Sequence, residues 1–235
     1  MVLNTDFKYI VTKLGYNFEM QTPILNRIKA GQLLSERLVP LNIANPIVLA
    51  LPRGGVPVAY EIATALHAPL DLLIVRKLGT PSYPELAMGA IASGNIKVLN
   101  QHVIQAYGIT DEAIAKVEFD ERAELNRREH AYRGNHPNPS IKGRNVIIVD
   151  DGLATGSTMF AAVEALKQQH PNSITVAITV APAEQITELV RKVDKVVCPL
   201  QPDDFSSVGE WYQDFSQVSD EQVKRLLEKA WKASS

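Results

Sequence analysis

Short, uninterrupted runs of apolar residues are the feature that most constrains the fold of this chain. Four such runs are rich in β-branched residues and predict strands covered on both faces, as is typical of parallel sheets. They cover residues 46–51, 70–75, 145–149 and 174–180. Weaker runs predict a fifth strand at residues 195–200 and a hairpin that joins 87–92 to 96–99.

Segments with helical periodicity separate these runs, and this alternation predicts an α/β fold with a doubly wound, mainly parallel sheet flanked by helices. We expect a single domain over residues 1–235, with a core at about 22–200 and a small C-terminal extension at 201–235. A capping box at Ser219 and Gln222 predicts a last helix that ends near Trp231. The other predicted helices cover residues 24–39, 55–67, 111–133, 157–169 and 182–193.

Composition narrows the class of protein. The formal net charge of −2 provides no field that would favour DNA or RNA, so we expect no nucleic-acid partner. No run approaches roughly 18 apolar residues, and the charged N-terminal stretch lacks a signal cleavage site, so we expect neither a membrane partner nor secretion. The single cysteine, Cys198, cannot form an internal disulfide. These features predict a cytoplasmic globular protein.

The most informative segment is VIIVDDGLATGST at residues 146–158. Its apolar half predicts a central strand, and the acidic residues Asp150 and Asp151 follow at the end of the strand where open α/β sheets bind ligands. Gly152 and Gly156 then predict a turn that opens a helix. Because Gly156 has no side chain, the backbone there can approach a ligand closely.

This segment combines a candidate phosphate site with a candidate sugar site. Amide groups at the start of the helix, with the hydroxyls of Thr155, Ser157 and Thr158, suit an anion such as phosphate. Asp150 and Asp151 would repel a phosphate but can accept hydrogen bonds from two vicinal hydroxyls. A phosphorylated ribose satisfies both halves. Adjacent aspartates also occur as ordinary loop or helix-cap residues, so that alternative stays open.

Residues 146–158 resemble the phosphoribosyl pyrophosphate motif of type I phosphoribosyltransferases, which has four apolar residues, two acidic residues and a Thr-Gly-x-Thr-like loop. The resemblance covers residues 24–199 and points to the uncharacterised "predicted phosphoribosyltransferase" group, in which a later VGEWYQDF stretch also occurs. It implies that Asp150 and Asp151 orient the ribose hydroxyls. The residues that it implies at or beside the 5′-phosphate are Gly152, Ala154, Thr155, Gly156, Ser157 and Thr158.

The segment Arg53-Gly54-Gly55 follows the first predicted strand, where this family places its pyrophosphate loop. Backbone amides of a glycine pair and one arginine suit a multiply charged leaving group. The family often has a non-proline cis peptide in this loop, which would fall between Pro52 and Arg53. An ordinary strand-to-helix turn is the alternative interpretation.

Arg76 and Lys77 follow the second predicted strand, near the base of what the resemblance implies is a mobile catalytic loop. Cations there could stabilise charge that builds on pyrophosphate. A solvated basic pair at a strand end is the alternative. Glu85 lies in the same connection and would be either a ligand or merely exposed.

Two departures concern the acceptor. Ala154 stands where six-oxopurine enzymes of the family carry an aspartate, which argues against hypoxanthine or guanine and leaves adenine open. The family recognises its acceptor base with a small hood beside the sheet, and Trp211 and Tyr212 could stack on a base there. Core cover or a subunit interface is the alternative for these aromatics. The charged segment 101–133 predicts a solvated helix face, with a lid or an oligomer contact as the alternative.

The resemblance implies a Mg²⁺-dependent pentosyltransferase that moves 5-phosphoribosyl from phosphoribosyl pyrophosphate to a nitrogen acceptor such as a nucleobase and releases pyrophosphate. It also implies a homo-oligomer. Mg²⁺ would be held mainly by substrate oxygens and water. The alternative is a non-catalytic regulator that binds phosphoribosyl pyrophosphate without turnover. The catalytic residues implied are Arg53, Arg76, Lys77, Asp150 and Asp151.

Overall fold

A computed structural model of the chain describes residues 23–234. Its strands are β1 (Pro46–Ala50), β2 (Leu70–Leu72), β3 (Val75–Gly79), β4 (Ala87–Ala92), β5 (Ile96–Leu99), β6 (Asn145–Asp150), β7 (Ser173–Ile178) and β8 (Lys195–Val197). Its helices are α1 (Arg27–Leu38), α2 (Gly55–Leu66), α3 (Gln101–Ala106), α4 (Asp111–Arg133), α5 (Ser157–Lys167), α6 (Ala183–Val190) and α7 (Asp220–Ser234).

The central sheet confirms the predicted fold class. Its five strands run in the order β2-β1-β6-β7-β8, and every neighbouring pair is parallel. Because alternate residues of a strand point to opposite faces, the apolar runs supply two cores. Val48 and Val149 belong to the core that α1, α2 and α7 cover, whereas Leu49 and Ile148 belong to the core that α5 and α6 cover. Burial on both faces explains why the runs are continuous.

The predicted strand at 70–75 is wrong in its extent. The parallel strand β2 ends at Leu72, and β3 begins at Val75 in a second sheet. That sheet is antiparallel, in the order β3-β4-β5, and contains the predicted hairpin. Leu73 and Ile74 between the strands are buried, so burial keeps the apolar run continuous across the break.

The long charged helix α4 is solvated along most of its length, as predicted, but its C-terminal end is not. The Arg133 guanidinium lies 2.8 Å from the Asp71 carboxylate, and both side chains are 4% exposed. Arg133 also donates to the carbonyl oxygen of Leu72, so it ties α4 to the edge strand of the sheet. Removing one partner of such a buried pair leaves an uncompensated charge, which makes Arg133 a structural residue.

The segment before α1 pairs with the C-terminal extension through backbone hydrogen bonds. The Ile24 amide donates to the Trp211 carbonyl, and the Gln213 amide donates to the Ile24 carbonyl. The predicted helix at 24–39 therefore starts only at Arg27, where Asn26 caps it through the amide of Lys29. Within residues 23–234, none of the helices has the length and apolar character needed to cross a membrane.

Candidate functional site

The acidic pair lies at the C-terminal end of the central strand β6, as predicted. Asp150 is the last residue of β6 and Asp151 follows it. The turn after β1 packs directly against both residues. A Cβ built on Gly54 would lie 2.0 Å from Asp151 Oδ2, and one built on Gly55 would lie 2.6 Å from the Val149 carbonyl oxygen and 3.0 Å from Asp150 Cα. Both glycines are therefore needed for the turn to approach β6 this closely.

Asp151 forms hydrogen bonds with three residues. Its Oδ2 accepts from Arg27 Nε at 2.7 Å, and its backbone carbonyl accepts from the Tyr212 hydroxyl. Its backbone amide donates to Asp150 Oδ1 at 2.9 Å. The side chains of Arg27 and Asp151 are 11% and 13% exposed. The Asp151 carboxylate therefore lies beneath the surface, between α1 and the turn after β1.

The Asp150 carboxyl has a perturbed pKa. Burial raises the pKa of the Asp150 carboxyl well above its ordinary value, and the nearby charge of Asp151 raises it further. The Arg27 guanidinium acts in the opposite direction on the same pKa, with a smaller effect. Arg27 forms its ion pair with Asp151.

The loop before α5 has the geometry expected of an anion site. Gly156 has a left-handed backbone (φ +77°), and α5 has no side-chain cap. The first intrahelical bond runs from the Phe160 amide to the Gly156 carbonyl at 2.8 Å, so the amides of residues 157–159 precede it. The hydroxyls of Thr155 and Ser157 lie 3.2 Å apart on the exposed side of the loop. Amides and hydroxyls thus converge at one helix start.

The Arg-Gly-Gly turn lies directly after β1, as the sequence predicts. The peptide bond between Pro52 and Arg53 is cis, as the resemblance implied. The Gly55 amide donates to the Leu51 carbonyl at 3.1 Å, so it is used within the turn rather than offered to a ligand. Arg53 is partly exposed, and its guanidinium lies 3.5 Å from Asp220 at the start of α7.

Arg76 and Lys77 lie within the strand β3, whereas the sequence analysis placed them just past the end of a strand. The Arg76 guanidinium pairs with Glu121 of α4 at 2.6 Å, and Lys77 pairs with Glu85 at 3.2 Å. None of the ion pairs within residues 23–234 joins either cation to Asp150 or Asp151. Both residues therefore support the second sheet here, and their role toward pyrophosphate stays a prediction.

The aromatic residues of the C-terminal extension are mainly core cover. Tyr212 is 5% exposed, so its ring is not available to stack on a base. Trp211 is half-buried against the core that α1 and α2 cover. Val208 lies against Gly152, where a Cβ would come within 2.5 Å of Val208 Cγ1. The C-terminal extension thus lies beside the acidic pair at the edge of the sheet. This is the position expected for the base-recognising hood that the resemblance implies.

Two residues that sequence reasoning missed contact the site. Arg27 reaches Asp151 from the first turn of α1, and Asp220 reaches Arg53 from the first turn of α7. Neither belongs to a motif, and each meets its partner across most of the chain. The only sequence signal is that each opens a predicted helix flanking the core, which does not specify a partner.

An open parallel sheet with acids at its C-terminal edge, beside a helix that starts without a side-chain cap, is typical of α/β proteins that bind phosphorylated ligands. Residues 22–214 match the family described as phosphoribosyl transferase domain. The chain therefore belongs to the phosphoribosyl transferase domain family.

Named relatives agree with this assignment. The chain is 40% identical over 205 residues to the Mycobacterium tuberculosis protein named "Putative phosphoribosyl transferase Rv0571c", and equally to its counterpart MT0597 in a second strain. These matches cover 87% of this chain and 46% of each relative, so the chain spans about half the length of the curated relatives it matches. The crystal structure of TT1426 from Thermus thermophilus is also similar, with 40% identity and a TM-score of 0.80 over 87% of this chain and 97% of that one.

Proposed function

We propose that the chain is a phosphoribosyltransferase that uses phosphoribosyl pyrophosphate as donor and a small nitrogenous base as acceptor. The observation that carries the proposal is that the turn after β1 packs against the acidic pair, which lies in the same strand-to-helix connection as the uncapped start of α5. The acidic pair suits the ribose hydroxyls, and the uncapped start of α5 suits the 5′-phosphate. The turn after β1 suits the pyrophosphate.

Each element has a separate task in the transfer. The amides of residues 157–159 and the hydroxyl of Thr155 bind the 5′-phosphate and fix the position of the sugar. Asp151 accepts a hydrogen bond from a ribose hydroxyl, and Asp150 binds the neighbouring one. Arg53 leaves Asp220 and binds the pyrophosphate as its charge builds. Catalysis then depends on positioning and on stabilising the leaving group rather than on a protein nucleophile.

The residues present fit the Mg²⁺ that the reaction implies. The carboxylates of Asp150 and Asp151 are hard oxygen donors at the strand end, the type of ligand that Mg²⁺ prefers, and it keeps several waters. Within residues 23–234, no group of three or more His, Cys, Asp or Glu side chains converges. Mg²⁺ bound with the donor would neutralise charge on the leaving pyrophosphate.

The decisive experiment removes the acid pair. We expect the double variant Asp150→Asn with Asp151→Asn to lose saturable binding of phosphoribosyl pyrophosphate with Mg²⁺ in calorimetry, because amides replace the carboxylate acceptors. The matched control is Asp203→Asn with Asp204→Asn, an adjacent and exposed pair in the C-terminal extension. Unchanged binding by a folded Asp150/Asp151 variant would refute the proposal.

A non-catalytic regulator is the second candidate, since the pairing of Arg53 with Asp220 is compatible with binding alone. A panel of nucleobases, tested for pyrophosphate release, separates the two. Release with any base supports the transferase. Saturable donor binding without release across the panel supports the regulator. Ala154 argues against hypoxanthine and guanine, so adenine and other bases come first in the panel.

A further inference from the structure

Resting on the proposed function, we propose that Arg27 is a positioning residue for the acid pair. Its guanidinium holds the Asp151 carboxylate in place against the turn that receives pyrophosphate. Arg27 lies in α1, outside the segments that sequence analysis assigned to the site. Its role depends on contacts with β6 and with the C-terminal extension.

The Arg27 guanidinium is fixed by three neighbours. Nε donates to Asp151 Oδ2 at 2.7 Å, and one terminal nitrogen donates to the Ser216 carbonyl at 2.8 Å. The central carbon of the group lies over the Phe215 ring, 3.9 Å from the ring centroid. A guanidinium that lies over a ring and is bonded in this way has little freedom to leave its carboxylate. The C-terminal extension therefore acts on the site through Arg27.

The shielded setting makes this pair stronger than an exposed one. Both side chains are nearly nine-tenths covered, so water screens the attraction less than it would at the surface. The ionisable groups that face Asp151 are Arg27 from α1, Asp150 from β6 and Tyr212 from the extension. Arg27 is the cation that forms an ion pair with Asp151 within residues 23–234. Without it, two adjacent carboxyls would face each other and a tyrosine hydroxyl.

The position of the Asp151 carboxylate matters for donor binding. A carboxylate accepts hydrogen bonds from ribose hydroxyls only where its oxygens point toward them. Without Arg27, Asp151 Oδ2 loses the cation that holds it, and the carboxylate can turn away from the ribose site. Affinity for ligands that carry the ribose should then fall, whereas affinity for pyrophosphate alone should not.

The test uses three variants of the full chain. Arg27→Met keeps much of the aliphatic stem, Arg27→Lys keeps the charge but not the planar fork, and Lys29→Met removes an exposed charge from the same helix. Calorimetry measures the dissociation constants for phosphoribosyl pyrophosphate with Mg²⁺, for ribose 5-phosphate and for pyrophosphate. We expect Arg27→Met to weaken the binding of both ribose ligands about tenfold and to change pyrophosphate binding by less than about twofold.

The matched variants separate positioning from simple support. Arg27→Lys should restore part of the lost affinity for the ribose ligands, and Lys29→Met should change the binding of none of the three ligands. A folded Arg27→Met protein with wild-type affinity for both ribose ligands, or with an equal loss of pyrophosphate binding, overturns this inference alone. If Arg27→Met does not fold, Arg27→Lys decides, and wild-type affinity in that variant overturns the inference. No donor binding by the wild type overturns the proposed function and this inference together.

Discussion

The loop before α5 and the turn after β1 are both strand-to-helix connections at the same sheet edge, yet they differ in what they leave for a ligand. In the loop before α5, the amides of residues 157–159 precede the first helical bond, and Thr155, Ser157 and Thr158 are exposed. In the turn after β1, the Gly55 amide is bonded to Leu51, and Arg53 is paired with Asp220. The loop before α5 therefore leaves its amides and hydroxyls available to a ligand, whereas the turn after β1 uses an amide and a guanidinium for bonds within the protein.

This difference separates two kinds of recognition. Backbone amides at a helix start are positioned by local chain geometry, so a short motif specifies them. Charged side chains are positioned by their partners, which come from anywhere in the chain. Asp151 depends on Arg27, 124 positions away, and Arg53 depends on the start of α7. A ligand could bind the loop before α5 without breaking a bond of the protein. At the turn after β1, it would have to replace Asp220 as the partner of Arg53.

The largest effect should come from Gly156→Ala, which tests the loop before α5. The new Cβ would lie 2.4 Å from Phe160 Cε2 and 2.8 Å from Gln185 Oε1, at a backbone with φ +77°. Because an L side chain is strained at this φ and crowded by Phe160, we expect the loop to shift. Losing one or two amide bonds to a charged phosphate, about 1.5–3 kcal/mol each, lowers affinity by about ten- to a hundredfold or more. Calorimetry with ribose 5-phosphate measures this.

The control for that variant is Gly143→Ala, which has a similar backbone (φ +70°) and no atom within 4 Å of the new Cβ. It should lose stability through backbone strain alone, by about 1–2 kcal/mol, and keep its affinity. A folded Gly156→Ala protein that binds ribose 5-phosphate as tightly as the Gly143→Ala control would show that the loop is not the phosphate site.

The same distinction explains what the sequence could predict. Apolar runs placed the five parallel strands and the hairpin, because each run is buried by its own sheet. The break between β2 and β3 was missed because Leu73 and Ile74 stay buried while the chain changes sheets. An apolar run in the sequence shows that its residues are buried, but it does not show which strand they pair with.

At the site, the motif predicted the position of the acids and the loop because those residues are neighbours in the chain. It did not predict that Arg27 engages Asp151 or that Tyr212 is buried with its hydroxyl on the Asp151 carbonyl. The sequence analysis also placed Arg76 just past a strand, although it lies within β3 and pairs with Glu121. Each of these depends on side chains brought together from distant segments, for which a single sequence carries no signal.

An intermediate effect should come from the turn after β1. Arg53→Ala should weaken pyrophosphate binding about five- to tenfold, since a partly exposed arginine contributes a screened charge, and should weaken ribose 5-phosphate less. Asp220→Asn should instead tighten pyrophosphate binding by up to about fivefold, because it releases Arg53 from a pair worth at most about 1 kcal/mol. Competition calorimetry with both ligands measures the two shifts.

The matched control for Arg53→Ala is Arg225→Ala, an exposed arginine of α7. The Asp220→Asn variant keeps an oxygen that can accept the bond from the Tyr132 hydroxyl, so α4 and α7 should stay in place. Equal losses of pyrophosphate and ribose 5-phosphate in Arg53→Ala would place Arg53 outside the pyrophosphate site. Weaker pyrophosphate binding in Asp220→Asn would mean that Asp220 orients Arg53 rather than competing for it.

The smallest effect on binding should come from Tyr212→Phe, which removes one hydroxyl beside Asp151. The variant leaves the buried Asp151 carbonyl without its hydrogen-bond donor, so we expect the free energy of unfolding to fall by about 1 kcal/mol. Its affinity for phosphoribosyl pyrophosphate should stay within about twofold of the wild-type value. Thermal unfolding and calorimetry measure the two quantities. Tyr107→Phe, at an exposed tyrosine, is the control and should change neither.

The pH dependence of the same variant tests why the hydroxyl stays protonated. Burial raises the pKa of Tyr212, and the charge of Asp151 raises it further. Because the unfolded chain ionises this tyrosine near its ordinary value of about 10, the stability that Tyr212 adds over Phe is complete below that pH and declines as pH rises above it. The difference in unfolding free energy between wild type and Tyr212→Phe should therefore shrink in alkaline solution. A difference that stays constant or grows there would mean that the hydroxyl is not buried against Asp151.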